Sequence, residues 1–204
     1  MQGDDDWKAK RRGLLTASRF ADLMAKTKSG PSTSRKNLIA RLACERFTGN
    51  FMESFQTDAM ARGIVMEASA RKAYEDQELV IVGLADYVPH PVHWFVGCSP
   101  DGYVGDLGLV EFKCPTAEDK HVQAILKGDH AREYRWQLQG QLWICERDWN
   151  DAVSYHPAWK ELSLAIVRVY RDEQAIAELE RECIAANQEI EDLVGQLNER
   201  RKAA

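Results

Sequence analysis

The chain has 204 residues, 45% of them apolar and 29% charged, with a formal net charge of −5. That is apolar material for one substantial core and little for two, so a single domain spanning residues 1–204 is expected. No apolar run approaches the ~20 residues a membrane helix needs, and the N-terminus is charged rather than built like a signal peptide, so no membrane partner is expected.

In chain order, the helical spacing of Phe20, Leu23 and Met24 predicts a helix over 16–26, ended by the Gly30-Pro31 turn. A second helix over 34–47 should bury Leu38, Leu42 and Cys44, with Gly49 past its end. A third over 57–77 presents Met60, Ile64 and Ala68, with Glu67 on an adjacent strip. Strands are predicted at 80–87, 94–97, 109–113, 151–155 and 163–170. Between the third and fourth lie two helices, one opened by Thr116 with Asp119 in capping-box spacing, the other over 132–145. Pro157 separates the last two strands. In the closing helix over 172–202, Ile176, Leu179, Cys183, Ala186, Ile190, Leu193 and Leu197 alternate steps of three and four, a heptad seam that packs on its own domain or at a subunit contact. This order predicts an α/β fold with a central mixed β-sheet flanked by α-helices.

Charge is unevenly placed. Residues 7–46 carry eleven Lys or Arg against Asp22 and Glu45, whereas residues 172–202 carry nine acids against four bases. The asymmetry suggests a basic surface able to follow phosphates, with an acidic element elsewhere; two solvated helix faces are the plain alternative. The five cysteines, Cys44, Cys98, Cys114, Cys145 and Cys183, are scattered and lack any Cys-x-x-Cys, which speaks against a disulfide framework or zinc site and for a reducing compartment. His90 and His93 form a His-x-x-His interrupted by Pro91 with no acid or cysteine to complete a set, and read as loop histidines.

The stretch Cys98-Ser99-Pro100-Asp101-Gly102, followed by a Gly-containing turn and Leu109-Val110-Glu111-Phe112-Lys113-Cys114, carries the most chemistry. The turn composition of 104–108 implies that the runs Trp94-Phe95-Val96 and Leu109-Val110 pair as strands. Alternation along a strand sends Glu111 and Lys113 to one face and Val110 and Phe112 to the other. Asp101 opposes Glu111 closely enough to share a cation, and oxygen ligands of this kind select Mg²⁺ or Mn²⁺. Lys113 would orient an attacking water and offset charge on phosphorus. A structural ion pair is the rival reading, weakened by the cost of placing charges in an apolar run. A calcium loop fits poorly, because Phe112 stands where such a loop needs its bidentate Glu.

These residues, with Gln2-Gly3-Asp4-Asp5, Trp7, Arg11, Gly13, Thr16-Ala17-Ser18, Gly63, Glu67, Gly108, Pro115, Gln137, Gln139 and Trp143, resemble the phage-lambda-type alkaline exonucleases, YqaJ-like members of the restriction-endonuclease-like PD-(D/E)xK superfamily. The resemblance spans residues 2–157. It implies a Mg²⁺-dependent 5′ to 3′ exonuclease on double-stranded DNA that releases mononucleotides and leaves a 3′ single-stranded tail for recombination. It also implies two metal ions, a homotrimeric ring around the duplex, a single-strand annealing recombinase as partner, and a phage or prophage protein in the bacterial cytoplasm. Carried over by position, Asp101, Glu111 and the Phe112 carbonyl are metal ligands, Lys113 is the catalytic lysine, and Glu67 and Gln139 join the catalytic cluster. Arg11, Ser18 and Ser99 match a 5′-phosphate pocket beside Thr16, with Gln137 on the DNA side. Arg12 stands close enough in the basic run to share the role of Arg11, and Met60 aligns with a strand-parting wedge. A sequence- or structure-specific endonuclease of the same superfamily and a noncatalytic DNA-end-binding module are the competing readings.

Overall fold

The computed structural model describes residues 5–28, 30–52 and 58–203, and for residues 58–64 the backbone alone. The chain opens with α1 (Asp5–Arg11), β1 (Leu15–Thr16), a 3₁₀ turn at Ala17–Arg19, α2 (Phe20–Met24), β2 (Lys26–Thr27), β3 (Gly30–Pro31), α3 (Thr33–Thr48) and α4 (Asp58–Glu78). The strands β4 (Val82–Gly83), β5 (Val88–Pro89), β6 (Val96–Cys98), β7 (Gly102–Val104) and β8 (Gly108–Lys113) follow. Next come α5 (Glu118–Lys127), α6 (Asp129–Glu133), α7 (Arg135–Cys145), β9 (Trp149–Tyr155), a 3₁₀ segment at Pro157–Leu162, β10 (Leu164–Tyr170) and α8 (Glu173–Ala203).

Five strands form the main sheet in the order β10-β9-β8-β7-β4. Its β8–β9 pair is parallel and its other pairs are antiparallel, so the sheet is mixed. Its two faces are read directly from the pleat. Val110, Phe112 and Val153 point to α4, where Ala70 and Tyr74 complete a core, and the Tyr74 ring meets Phe112 edge-on at 5.9 Å. Leu109, Glu111 and Lys113 belong to the opposite face, where Ala152 of β9 meets Leu138 of α7. Beneath the phenol of Tyr74, its hydroxyl donates to the buried carboxylate of Asp151, which also takes two bonds from Arg168 at 2.8 Å.

The hairpin differs from expectation. Leu109 and Val110 pair with Tyr103 and Gly102 of β7, not with the run at residues 94–96, and β6 instead joins β1 and β5 in a separate three-stranded sheet. Residues 99–101 turn the chain between the two sheets, because Pro100 cannot donate to a ladder. Gly102 is required there: a Cβ would lie 2.2 Å from Val82 Cγ1 and 3.3 Å from Val110 Cγ1. The strand expected over 80–87 shrinks to the two residues of β4, with Leu79, Ile81 and Leu84 exposed around it.

The helical core gathers α2, α3, α7 and α8. Phe20, Leu23, Leu38, Ile39 and Leu42 meet Ile176, Leu179, Cys183, Ala186 and Ile190 of the long closing helix. The seam fades outward, since Leu197 is 41% exposed. Ala43 rather than Cys44 is buried in α3, and Gly49 ends that helix in the left-handed conformation with its N–H on Glu45 O. On α4 the inward residues are Ala70 and Tyr74, while Ala68 is exposed; Ile64 and Met60 have side chains outside the described residues. No side chain caps α5, so Thr116 does not close the expected box, and the helix over 132–145 is split at Tyr134 into α6 and α7. All five cysteines are free, yet Cys98 and Cys145 bring their sulfurs to 3.5 Å.

The acidic helix is not remote from the basic segment but lies on it. Glu189 of α8 takes both guanidinium ends of Arg35, and Glu178 and Glu182 take Lys26. Part of the N-terminal charge is thereby consumed in packing β2 and α3 against α8.

Close approach of α7 to α2 depends on Gly140, whose absent Cβ would stand 2.3 Å from Cε2 of the fully buried Phe20 ring. Gly140→Ala should therefore destabilise the fold. Overpacking costs about 1–3 kcal/mol and the better helix propensity of Ala returns only about 1 kcal/mol. Urea denaturation checks this, and an unchanged or higher midpoint would contradict it.

Candidate active site

Three side chains meet at the β7–β8 hairpin. Asp101, the residue before β7, accepts at 2.7 Å from the backbone N–H of Phe112, which fixes its carboxylate beside the middle of β8. Glu111 is 4% exposed and held through both oxygens: Oε1 accepts from Lys113 Nζ at 2.8 Å and Gln137 Nε2 at 2.6 Å, and Oε2 accepts from Gln141 Nε2 at 2.7 Å. Lys113 Nζ also donates to Gln137 Oε1 at 3.1 Å and lies 4.4 Å from the centre of the Tyr134 ring. The lysine, glutamate and glutamine thus form a closed triangle.

Electrostatics mark this corner. Burial, and then the Glu111 carboxylate, hold the Asp101 carboxyl well above its usual range. Burial opposes the charge on Lys113, but Glu111 and Asp101 outweigh it and raise its pKa. Glu67 of α4 lines the same groove and is also raised, by burial first, with Glu111 adding to it and Arg71, 2.7 Å away, working against it. Clustered carboxylates facing one ammonium form a site short of positive charge.

Those donors suit a hard cation. Mg²⁺ and Mn²⁺ take one or two carboxylates and draw their remaining oxygens from water and substrate phosphate, which is what Asp101, Glu111 and an open groove can supply. Among the described residues no group of three or more His, Cys, Asp or Glu side chains forms a closed cage of the kind structural zinc requires.

The same groove, about 1580 Å³ in volume, runs past Arg11. Its Nη1 donates to Ser99 Oγ at 3.1 Å, and its Nη2 donates to Thr16 Oγ1 and Ser18 Oγ, each at 3.1 Å. The Trp7 ring covers the guanidinium at 4.2 Å. None of these hydrogen-bond partners is an acid, and burial lowers the Arg11 pKa to about 10. A half-buried cation ringed by hydroxyls is a receptor for an anion.

Of the residues singled out from sequence, Arg11, Thr16, Ser18, Glu67, Ser99, Asp101, Glu111, Phe112, Lys113 and Gln137 all line this one groove. Two do not join them. Arg12 is exposed and gives its guanidinium to Gly49 O at 2.7 Å, tying α1 to the end of α3. Gln139 faces away: its Nε2 donates to Tyr170 O at 2.8 Å and its Oε1 accepts from Asp172 N at 2.9 Å, bracing the junction of β10 and α8. Helix geometry explains it, since residues two apart point to nearly opposite sides while Gln137 and Gln141, four apart, share one. Gln141 and Tyr134 are the contributors that sequence reading missed. His90 and His93 are structural, with His90 Nδ1 accepting from Val92 N and His93 N and the His93 ring paired with Glu180.

The fold has known counterparts. Residues 6–148 match the YqaJ-like viral recombinase domain. The crystal structure of an alkaline exonuclease, LHK-Exo, from Laribacter hongkongensis shares 37% sequence identity with the chain, covering 98% of it and 100% of that protein at a TM-score of 0.90. A complex of LHK-Exo with dAMP matches equally well. A phage-related exonuclease from Haemophilus somnus 129PT shares the fold at 15% identity, covering 93% of this chain and 99% of its own, with a TM-score of 0.74. No curated protein matches the chain significantly in sequence. The mixed α/β architecture is thus restriction-endonuclease-like, and the chain belongs to the YqaJ-like viral recombinase family.

Proposed function

We propose that the chain is a Mg²⁺-dependent exonuclease that degrades linear double-stranded DNA in the 5′ to 3′ direction, releasing mononucleotides and leaving a 3′ single-stranded tail for recombination. The observation that carries this reading is Arg11, a half-buried guanidinium whose hydrogen-bond partners among the described residues are hydroxyls, in the same groove as Asp101, Glu111 and Lys113. A terminal 5′-phosphate held there by charge-assisted bonds would present the adjoining phosphodiester to the carboxylates, making one nucleotide the natural step. The complex of LHK-Exo with dAMP supports a mononucleotide product.

Asp101, Glu111 and the Phe112 carbonyl would hold the metal, taken as two ions. When bound, Mg²⁺ or Mn²⁺ supplies Lewis-acid polarisation of the phosphate and counter-charge for the leaving oxygen. Lys113 holds its ammonium beside the scissile phosphate, where it orients the attacking water and offsets charge on phosphorus. Gln137 fixes that ammonium against Glu111. Glu67 lines the same groove and would accept a hydrogen bond from water entering it. Family membership further supports a homotrimer around the duplex, a single-strand annealing recombinase as partner, and phage or prophage origin in a bacterial cytoplasm. Among the described residues no helix is long and apolar enough to cross a membrane.

Circular DNA separates an end-dependent enzyme from an endonuclease of the same fold. With Mg²⁺, a linear duplex should be consumed while a covalently closed circle of the same sequence survives; rapid cutting of the circle would overturn the reading.

A further inference from the structure

Glu111 is anchored from behind by residues with no place in the groove. Its Oε1 meets Lys113 and Gln137, both groove-lining, whereas its Oε2 takes the 2.7 Å bond from Gln141, which is fully buried. Gln141 Oε1 in turn accepts from Asn150 Nδ2 at 2.8 Å, and Asn150 is also fully buried. Parallel register sets Asn150 of β9 opposite Leu109, two residues before Glu111 and on the same face of the sheet.

The amide orientations are dictated from one end. A carboxylate only accepts, so Gln141 must turn its NH₂ to Glu111 and its oxygen to Asn150; Asn150 must then present its own NH₂. That choice leaves Asn150 Oδ1 buried without a hydrogen-bond partner among the described residues. Such an orphan is a net cost to the fold, one that an apolar side chain of similar volume would avoid. The hydrogen bond from the Asn150 side chain runs to Gln141 and so toward Glu111, and the cost points to the site it serves.

We propose that Asn150 and Gln141 are positioning residues which lock the Glu111 carboxylate with one oxygen turned to the groove, in readiness for a divalent cation. The inference rests on the reading of Glu111 as a metal ligand. Unlocked, the carboxylate could rotate and the Gln141 amide could flip, presenting oxygen to oxygen. Partners that orient a ligating carboxylate from behind change metal affinity by about 10–100-fold.

Binding of Mn²⁺ alone to the full chain without DNA, read from the electron paramagnetic resonance signal of free Mn²⁺, tests this. Gln141→Met and Asn150→Leu should each weaken Mn²⁺ binding about tenfold or more. The double variant should be no weaker than Gln141→Met, because Asn150 acts only through Gln141. Asn150→Asp keeps the shape but offers an acceptor where a donor is needed, and should weaken binding at least as much as Asn150→Leu, which keeps the test open if the apolar variants fail to fold. Folded variants, judged by circular dichroism, that bind Mn²⁺ like the unaltered protein would overturn the relay alone, as would fully additive losses in the double variant. Failure of the unaltered protein to bind Mn²⁺ would overturn the metal reading and this inference with it.

Discussion

Lys113→Ala should fold and bind duplex ends yet cut DNA about a hundredfold to a thousandfold more slowly, the usual cost of deleting one preorganised donor from a site where charge develops. The fold has little to lose, because the face of β8 that builds the core is that of Val110 and Phe112, and Lys113 is half-buried at the end of the strand. The chemistry has much to lose. Without Nζ, Glu111 Oε1 keeps only Gln137, and Gln137 Oε1 has no ammonium to hold. Lys113→Arg should rescue poorly, since a planar fork cannot sit 2.8 Å from Glu111 and 3.1 Å from Gln137 as a compact ammonium does. Single-turnover rates, with a binding assay and circular dichroism as controls, decide the matter. Near-normal turnover by Lys113→Ala would remove the proposed role.

Arg11→Ala should erase most of the advantage of 5′-phosphorylated over 5′-hydroxyl ends, reducing that ratio about tenfold to a hundredfold. The magnitude is that of charge-assisted hydrogen bonds, about 1.5–3 kcal/mol. Arg12 is not placed to substitute at the hydroxyls of Thr16, Ser18 and Ser99, because its guanidinium is tied to Gly49 O instead. Although burial lowers the Arg11 pKa to about 10, the guanidinium stays charged at neutral pH, so the loss should be independent of pH between about 7 and 8. Initial rates on duplexes differing only in the terminal phosphate give the ratio, and an unchanged ratio would count against the pocket.

Much of the site was legible because it is local. Asp101, Glu111 and Lys113 come from one hairpin, and the period-2 pleat alone divides Glu111 and Lys113 from Val110 and Phe112. The pairing partner was misread because two short apolar strands, β6 and β7, precede the turn within nine residues, and only the Gly105 turn and the close packing at Gly102 select the second. Gln139 was misassigned although the sequence held the correction: Gln137 and Gln141 are one helical turn apart and Gln139 is not. The Asn150 end of the relay was not legible, since it depends on the parallel β8–β9 register, a pairing of residues about forty positions apart that no local pattern encodes. The burial of α4 through Ala70 and Tyr74 rather than Ala68 was likewise set by tertiary contacts, because Tyr74 must reach both Phe112 and Asp151.

Digestion of a linear 5′-phosphorylated duplex in Mg²⁺, labelled at either end of one strand and resolved by size, tests the central claim most directly. The account predicts that a 5′ label appears at once as free mononucleotide, that a 3′ label of the same strand persists in progressively shorter fragments, and that neither is released in a chelator. Early release of the 3′ label, or labelled oligonucleotides from internal cuts, would contradict it.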